Sequence, residues 1–354
     1  MSVSAMTSLE RLQTTMGHHE PDRVPFVISV TMQGARELGL SIQEYYSKAE
    51  NIVEAQLRMF TKYRHDALNP TFYGALEMEA WGSPTVFRAD GPPNAGPPLV
   101  TKLDDITKLV PPQIGESPRL LEALKAIRLM KSKAGDTIPL LGVVISPFSA
   151  PVMQLGFDLY LQLLFERPDL FARLMAVNEE FCVAWANAQL AAGATAIAYA
   201  DPVSSTTIIT REMYLKTGFA VAKRTIARIQ GGVATHFASG NCLPILGDVA
   251  QTGTVAVGVS ALEDLAAIKA ACRGKLTVMG NLNAIAMRHW TPTQAVAEVK
   301  TAIAKAGPGG GYVLSDNHGE IPWQVPDEIL LVIADAVHTW GRYPLDWVRQ
   351  EGTA

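Results

Sequence analysis

The run IPLLGVVIS (138–146) is short, apolar almost throughout and rich in β-branched residues. A continuous apolar run of this length is typical of a strand buried on both faces of a parallel sheet. A helical pattern at 118–133 precedes this strand, and helical patterns at 157–164 and 168–192 follow it. The run is therefore one unit of a strand–helix alternation, and the same alternation extends along the chain in both directions.

Further strands are predicted at TAIAYA (195–200), GVATHFA (232–238), VAVGVS (255–260), KLTVMGN (275–281) and YVLS (312–315). Toward the N-terminus, VPFVISV (24–30) and DALNP (66–70) are predicted as strands. Helices are predicted at 8–17, 41–64, 210–229, 243–252, 262–271, 293–306 and 326–340. About eight strand–helix units is the number that closes a barrel. A doubly wound open sheet would also alternate, but no G-x-G-x-x-G follows an early strand. We therefore predict a single α/β domain over 1–354, a (β/α)8 TIM barrel with a long Pro- and Gly-rich excursion at 83–114.

The composition of the chain narrows the classes of function. Hydrophobic residues make up 48% of the 354 residues and the net charge is −4, which favours a large core and excludes a nucleic-acid footprint. The cysteines Cys182, Cys242 and Cys272 are sparse and odd in number, which does not make a disulfide framework. We therefore expect a reducing, cytoplasmic location. No secretory signal pattern or membrane span is expected, because apolar stretches end well before 18 residues.

A TIM barrel carries its active site at the C-terminal ends of its strands. This rule selects polar residues that come directly after the predicted strands. The expected substrate-binding residues are Asn69, Tyr73, Glu77, Ser146, Ser205, Ser239, Asn241 and Asn281.

Asp201 is a predicted catalytic residue, because it follows an apolar strand and precedes Pro202, which ends that strand. A buried carboxylate at a barrel mouth needs a partner such as a substrate cation, an N–H group or a metal. The alternative role as a helix N-cap is better filled by Thr210. SDNHGEIP (315–322) adds His318 and Glu320 as predicted catalytic residues, the alternative being a loop held by local Asx hydrogen bonds.

A metal site is also possible, formed by His236, Cys242 and His318. Imidazole and thiolate suit zinc, and zinc can hold a thiol as thiolate for methylation. The spacing H-x5-C is not a standard zinc signature, and Cys242 could instead be a small buried residue at a helix start.

Several segments resemble, in order, those of the uroporphyrinogen decarboxylase-like superfamily. They are EPDRVPF (20–26), DALNPTFYGALEMEAWG (66–82), AGATAIAYADPVSS (192–205), ITREMYLK (209–216), VMGNLN (278–283) and GYVLSDNHGEIPWQVPDE (311–328). This resemblance implies a (β/α)8 barrel with its pocket at the C-terminal strand ends.

Within this superfamily the chain is closest in character to the corrinoid-dependent branch that includes methylcobalamin:coenzyme M methyltransferases. The arginine-rich segment that grips porphyrinogen carboxylates in true decarboxylases corresponds to VISVTMQGARELG (27–39), which keeps only Arg36. HFASGNCLPIL (236–246) resembles the methyltransferases' zinc segment but places Ser239 where a cysteine ligand lies. The His318–Gly319 pair resembles the decarboxylase ending instead.

The resemblance thus implies a methyltransferase acting between a small substrate, or a thiol or folate acceptor, and a corrinoid. No D-x-H-x-x-G motif is present, so the corrinoid would arrive on a separate corrinoid protein. Zinc is a possible cofactor and a homodimer a possible assembly. One alternative is a cofactor-independent decarboxylase of a small aromatic or pyrrole carboxylic acid. Another is a non-catalytic binding protein, since a fold does not fix a function.

Overall fold

The computed structural model describes residues 6–70 and 73–351. Its strands are β1 (Thr85–Val86), β2 (Asn94–Ala95), β3 (Leu141–Ile145), β4 (Ala196–Ala200), β5 (Gly232–His236), β6 (Ala256–Gly258), β7 (Thr277–Leu282) and β8 (Tyr312–Asp316). Strands β3 to β8 form one parallel sheet in the order of the sequence, and β1 and β2 form a separate antiparallel hairpin. Neighbouring parallel strands joined by helices are the pattern that the sequence predicts.

Two further segments continue this sheet at its edges. Beside β8, Val27 donates a backbone hydrogen bond to Leu314 (2.9 Å). Beside β3, Leu141 donates one to Leu68 (2.9 Å). Both contacts belong to parallel β-bridges. The predicted strands 24–30 and 66–70 therefore lie where the first two strands of a barrel belong.

These two segments are joined to each other by a backbone hydrogen bond from Asp66 to Phe26 (2.6 Å). Backbone hydrogen bonds thus connect eight segments in a ring, which agrees with the predicted TIM barrel. The two N-terminal segments form isolated bridges rather than full strands. Pro25 and Pro70 lack an N–H group, so neither segment can extend a regular ladder on both sides.

Helices cover the outside of the sheet and follow the predicted alternation. They are α1 (Ser8–Met16), α2 (Gln33–Leu38), α3 (Ile42–Tyr45), α4 (Ala49–Tyr63), α5 (Leu76–Ala80), α6 (Pro118–Ala134), α7 (Pro151–Leu155), α8 (Phe157–Glu166), α9 (Pro168–Ala192), α10 (Arg211–Lys216), α11 (Gly218–Ile226), α12 (Leu246–Val249), α13 (Leu265–Cys272), α14 (Pro292–Ala306), α15 (Asp327–Trp340) and α16 (Asp346–Glu351). Short 3-10 helices lie at Leu103–Lys108, Ile114–Glu116, Pro202–Ser204, Leu243–Ile245 and Ala286–His289.

Two predicted helices are each divided in the structure. The helix predicted at 41–64 is interrupted between α3 and α4. The helix predicted at 210–229 is interrupted at Thr217, whose hydroxyl donates to the carbonyl of Met213 (2.6 Å). A hydroxyl bonded back to the preceding turn competes with the helical ladder, which accounts for this second break.

A buried ion-pair network secures the N-terminal segments. The Asp66 carboxylate accepts from Arg11 and Arg23 at 2.6 Å each, and from the backbone N–H of Phe26 at 2.8 Å. Arg11 also pairs with Asp22 at 2.6 Å. Removing one partner from such a network would leave a buried charge uncompensated. The EPDRVPF motif therefore acts structurally, holding α1 and both N-terminal segments together.

Among the described residues, no helix has the combined length and hydropathy to cross a membrane. The three cysteines are free and buried.

Candidate active site at the mouth of the sheet

A cavity of about 620 Å³ opens at the C-terminal ends of the parallel strands, a region called the mouth below. Its inner wall consists mainly of apolar side chains of β3, β4 and β7 that face the cavity. Its outer wall comes from the 83–114 excursion, which contributes a run of Pro, Gly and Asn. The polar residues of the lining are Ser29, Thr31, Asn69, Asn94, His236, Ser315, His318 and Glu320.

The charges of this cavity are unusual for a site that binds acids. None of the described residues that line it is Lys or Arg, and Glu320 is their one carboxylic acid. His236 and His318 are the other ionisable side chains in the lining. A multiply charged anion would therefore enter without a fixed positive charge to compensate its loss of water.

Glu320 lies half-buried in the loop after β8. Thr31, at the end of the first N-terminal segment, donates its hydroxyl hydrogen to Oε1 of Glu320 at 3.3 Å. Burial raises the pKa of Glu320 to about 7, the Thr31 hydrogen bond opposes this rise, and the nearby Asp316 adds to it. Near neutral pH this carboxyl group is therefore divided between its acid and carboxylate forms, as suits a proton donor or acceptor.

His236 ends β5 and lines the same cavity. Its Nδ1 accepts a hydrogen bond from the backbone N–H of Ala238 at 3.0 Å. Burial lowers the pKa of His236, against an opposing effect of Asp316, so the ring is neutral. A neutral ring that accepts at Nδ1 carries its proton on Nε2. His236, which lines the cavity, can therefore donate a hydrogen bond through Nε2.

The ring of His236 fits because its neighbour on β6 is a glycine. His236 and Gly258 are register partners on adjacent strands. A Cβ atom on Gly258 would lie 2.2 Å from Cδ2 of His236, so any larger residue would displace the imidazole.

His318 is exposed at the rim of the mouth, and its Nδ1 lies 2.6 Å from the hydroxyl of Ser239. The loop that carries it is held by Asp316, whose Oδ2 accepts from the backbone N–H groups of His318 (3.3 Å) and Gly319 (3.1 Å). Oδ1 of Asp316 accepts from the backbone of Ser29 at 2.9 Å. The local Asx hydrogen bonds of the alternative prediction are therefore present, and they fix His318 and Glu320 relative to the first N-terminal segment.

Asp201 lies behind the cavity wall and does not line it. It is 1% exposed, and its Oδ1 accepts from the hydroxyls of Ser146 (2.5 Å) and Ser149 (2.8 Å). Burial raises its pKa, and these hydroxyls oppose the rise. The hydrogen bond between Ser146 and Asp201 therefore joins the loops after β3 and β4.

Cys242 is not brought together with the two histidines of the predicted metal set. It is fully buried, its backbone N–H donates to Oε2 of Glu263 at 2.9 Å, and its Sγ lies 3.5 Å from the same oxygen. Burial and Glu263 raise the pKa of this thiol, which disfavours a thiolate. Across 6–70 and 73–351 no group of three or more His, Cys, Asp or Glu side chains is arranged to hold a metal. The described donors therefore do not fit zinc.

A family model described as uroporphyrinogen decarboxylase (URO-D) matches residues 7–340, nearly the whole chain. The chain belongs to the URO-D family. A uroporphyrinogen decarboxylase from Methylibium petroleiphilum is 28% identical over 255 residues, 67% of each chain. A methylcobamide:CoM methyltransferase from Methanosarcina barkeri is 24% identical over 340 residues, 94% of this chain and 98% of the relative.

Among solved structures, a methyltransferase from Methanosarcina mazei superposes with a TM-score of 0.84 at 20% identity, covering 94% of this chain and 99% of the other. This likeness establishes the fold and confirms the predicted barrel class. URO-D family relatives of this chain thus carry the names of two kinds of enzyme, decarboxylases and methyltransferases.

Other residues that the strand-end rule selects lie at different depths in this URO-D barrel. Asn69 lines the cavity, and its backbone N–H bonds to Gln56 at 3.2 Å. Tyr73 and Glu77 lie behind it; Tyr73 bonds to Glu79 through its hydroxyl, and Glu77 accepts from the backbone of Ile145 at 2.9 Å. Burial raises the pKa of Glu77 to about 8.

The remaining predicted substrate-binding residues make contacts outside the cavity. Ser205 is buried against Gly240, where a Cβ atom would lie 2.3 Å from its hydroxyl. Asn241 is exposed, and its backbone N–H bonds to Thr207 at 2.9 Å. The side chain of Asn281 donates to the carbonyl of Ser260 at 2.9 Å and faces a separate space of about 260 Å³.

Sequence reasoning missed Thr31, Ser29, Met153 and Met279, all of which line the cavity. Thr31 directly follows the predicted strand 24–30, so the strand-end rule could have selected it. Ser29 and Met279 lie within predicted strands, where alternation gives two faces but does not say which one points inward.

Proposed function

We propose that this protein transfers a methyl group between a small substrate and a corrinoid carried by a separate protein, with the chemistry at the mouth of the barrel. The observation that carries the proposal is the cavity of about 620 Å³ whose described lining holds neither Lys nor Arg. A pocket of this size and polarity suits a small, weakly charged molecule.

The lining argues against porphyrinogen decarboxylation. A tetrapyrrole with many acetate and propionate arms would need several cations to replace the water around its carboxylates. Arg36, the one arginine retained near the expected position, instead donates to the backbone carbonyl of Val325 at 3.3 Å and lies over the ring of Trp323. It stabilises the loop before α15 and does not line the cavity.

The similarity to methyltransferases supports the proposal over the full length of the chain. The relative from M. barkeri is matched over 94% of this chain, whereas the decarboxylase from M. petroleiphilum is matched over 67%. The corrinoid would be a substrate delivered by its carrier protein, and its cobalt would give up or accept the methyl group. This chain would hold the small substrate against the apolar wall and present Glu320 and the Nε2–H of His236 to it.

A second candidate is decarboxylation of a small aromatic or pyrrole acid. The protonated fraction of Glu320 at neutral pH favours it, because the carbon that loses CO₂ must gain a proton. A single carboxylate could also be met by the imidazoles of His236 and His318.

The test is to incubate the purified protein with methylcobalamin and thiols, with cob(I)alamin and small methyl donors, and separately with uroporphyrinogen or pyrrole-2-carboxylate. We expect protein-dependent changes in the cobalamin absorbance and no release of CO₂. His236→Gln should reduce the rate, whereas His289→Gln, at an exposed position outside the cavity, should not. Release of CO₂ without any cobalamin change would establish the second candidate instead.

A further inference from the structure

Resting on the methyl transfer proposed above, we infer that the small substrate is an uncharged methyl ether and that Glu320 donates the proton its oxygen needs when the methyl group leaves. The methyl group then moves from the ether to the corrinoid.

An anionic substrate or acceptor fits poorly. With no lining Lys or Arg among the described residues, a carboxylate or sulfonate would lose hydration without a fixed cation in return. The apolar wall, which includes Val27, Met153 and Met279, would face such a group directly.

A quaternary ammonium donor also fits poorly. Sites for such cations are built from the faces of Trp, Tyr and Phe, and none of the described lining residues is one of these. A methyl group leaving a quaternary nitrogen yields a neutral amine and needs no proton, so Glu320 would have no function in that reaction.

A thiol acceptor requires its thiol to be held as thiolate. Because Cys242 is buried and His236 accepts a hydrogen bond at Nδ1, the described residues offer no zinc donor set at the cavity. Glu320 by itself would have to take the proton from the thiol, and no cation among the described lining residues would stabilise the thiolate.

An uncharged methyl ether matches each of these features. Its apolar part would pack against the wall from β3, β4 and β7, and its oxygen would be the one strongly polar atom to satisfy. Glu320 lines the cavity, and the Thr31 hydroxyl donates a hydrogen bond to it at 3.3 Å. Burial keeps a large fraction of this carboxyl group protonated near pH 7.

The pair of electrons on cob(I)alamin cobalt forms a bond to the methyl carbon, while the C–O bond breaks and its electron pair stays on oxygen. Glu320 gives its proton to that oxygen and becomes a carboxylate, so an alcohol or phenol leaves. Cobalt is formally oxidised from Co(I) to Co(III), and Glu320 regains a proton from water at the mouth.

The test uses full-length protein, cob(I)alamin and three donors: 2-methoxyphenol, 4-nitroanisole and 4-methoxybenzoate. The nitro compound has a stabilised leaving group that needs little protonation. We expect methylcobalamin to form faster from 2-methoxyphenol than from the anionic 4-methoxybenzoate. Glu320→Gln should slow the reaction of 2-methoxyphenol by about 100-fold and that of 4-nitroanisole by about 10-fold or less, since general acids contribute about 10²–10⁴-fold.

A matched control is Glu79→Gln. Glu79 is also a hydrogen-bonded carboxylate, paired with Tyr73 and Thr85, but it does not line the cavity. Its substitution should change neither donor's rate. The melting temperature of each variant shows whether it is folded.

The possible results separate the substrate class and the role of Glu320 from the methyl transfer itself. Equal losses for both ethers in Glu320→Gln would overturn the proton transfer, and preferred reaction of 4-methoxybenzoate or of a thiol would overturn the substrate class. Both of these results would leave the proposed methyl transfer intact. No transfer between cobalamin and any donor or thiol would instead refute the proposed function itself, and the inference with it.

Discussion

Thr31 and Glu320 are 289 positions apart in sequence, yet the Thr31 hydroxyl donates to Oε1 of Glu320 at 3.3 Å. The contact joins the first N-terminal segment to the loop after β8, at the point where the ring of strands closes. It places a carboxylic acid in the lining of the cavity. The acid–base behaviour of Glu320 therefore depends on the packing of this segment against the loop after β8.

The rate of methyl transfer should fall as the pH rises through about 7. Burial raises the pKa of Glu320 to about 7, so the proton-donating form predominates below that pH and is lost above it. A pH–rate profile with 2-methoxyphenol measures this alkaline limb. In Glu320→Gln the limb should be absent, and its persistence would assign it to another group.

Thr31→Val should move the alkaline limb to higher pH. The hydroxyl of Thr31 stabilises the carboxylate form and lowers the pKa of Glu320, so its loss leaves the effect of burial less opposed. Thr61→Val is the matched control, because the Thr61 hydroxyl bonds to the Leu57 carbonyl on the exposed side of α4. A limb that stays in place in Thr31→Val would show that the hydrogen bond does not set this pKa.

Gly258→Ala should displace the imidazole of His236 and reduce activity by about 100-fold, the effect typical of a misplacement near 1 Å. The cause is steric, since the new Cβ atom would lie 2.2 Å from Cδ2 of His236. Gly247→Ala, where nothing lies within 4 Å of the new atom, serves as the comparison. Steady-state rates together with melting temperatures separate loss of geometry from loss of fold; unchanged rates in Gly258→Ala would argue that His236 does not contribute.

Asp66→Asn should lower the free energy of unfolding by about 3–5 kcal/mol, the usual cost of breaking a buried ion pair. The buried carboxylate of Asp66 pairs with both Arg11 and Arg23, so its loss leaves part of their positive charge without a partner. Denaturant titration measures the change. Asp136→Asn should have little effect, because the Asp136 side chain is 94% exposed; equal effects of the two substitutions would mean that the buried network adds no stability.

Chelator treatment should leave activity unchanged, and Cys242→Ala should not alter metal content. The Cys242 thiol faces Glu263 and His236 already accepts a backbone hydrogen bond at Nδ1. Elemental mass spectrometry of the untagged protein checks this expectation. One zinc per chain that disappears in both Cys242→Ala and His318→Ala would instead establish the metal site predicted from the sequence.

The strand–helix alternation was readable from the sequence because each buried parallel strand must be a short apolar run and each covering helix must be amphipathic. Together with the rule for strand ends, it placed Asn69, His236, His318 and Glu320 at the mouth, and all four line the cavity. Strand positions and strand ends follow from the pattern of neighbouring residues, so they can be predicted without knowing the long-range contacts.

The direction of each side chain was decided only by tertiary structure. Asp201 and Cys242 also follow strands, but each turns away from the cavity toward partners that the sequence does not place beside it, the hydroxyls of Ser146 and Ser149 and the carboxylate of Glu263. The pairing of Thr31 with Glu320 likewise needs the ring to close. A buried polar group turns to wherever its hydrogen bonds can be satisfied, and those partners are set by long-range packing.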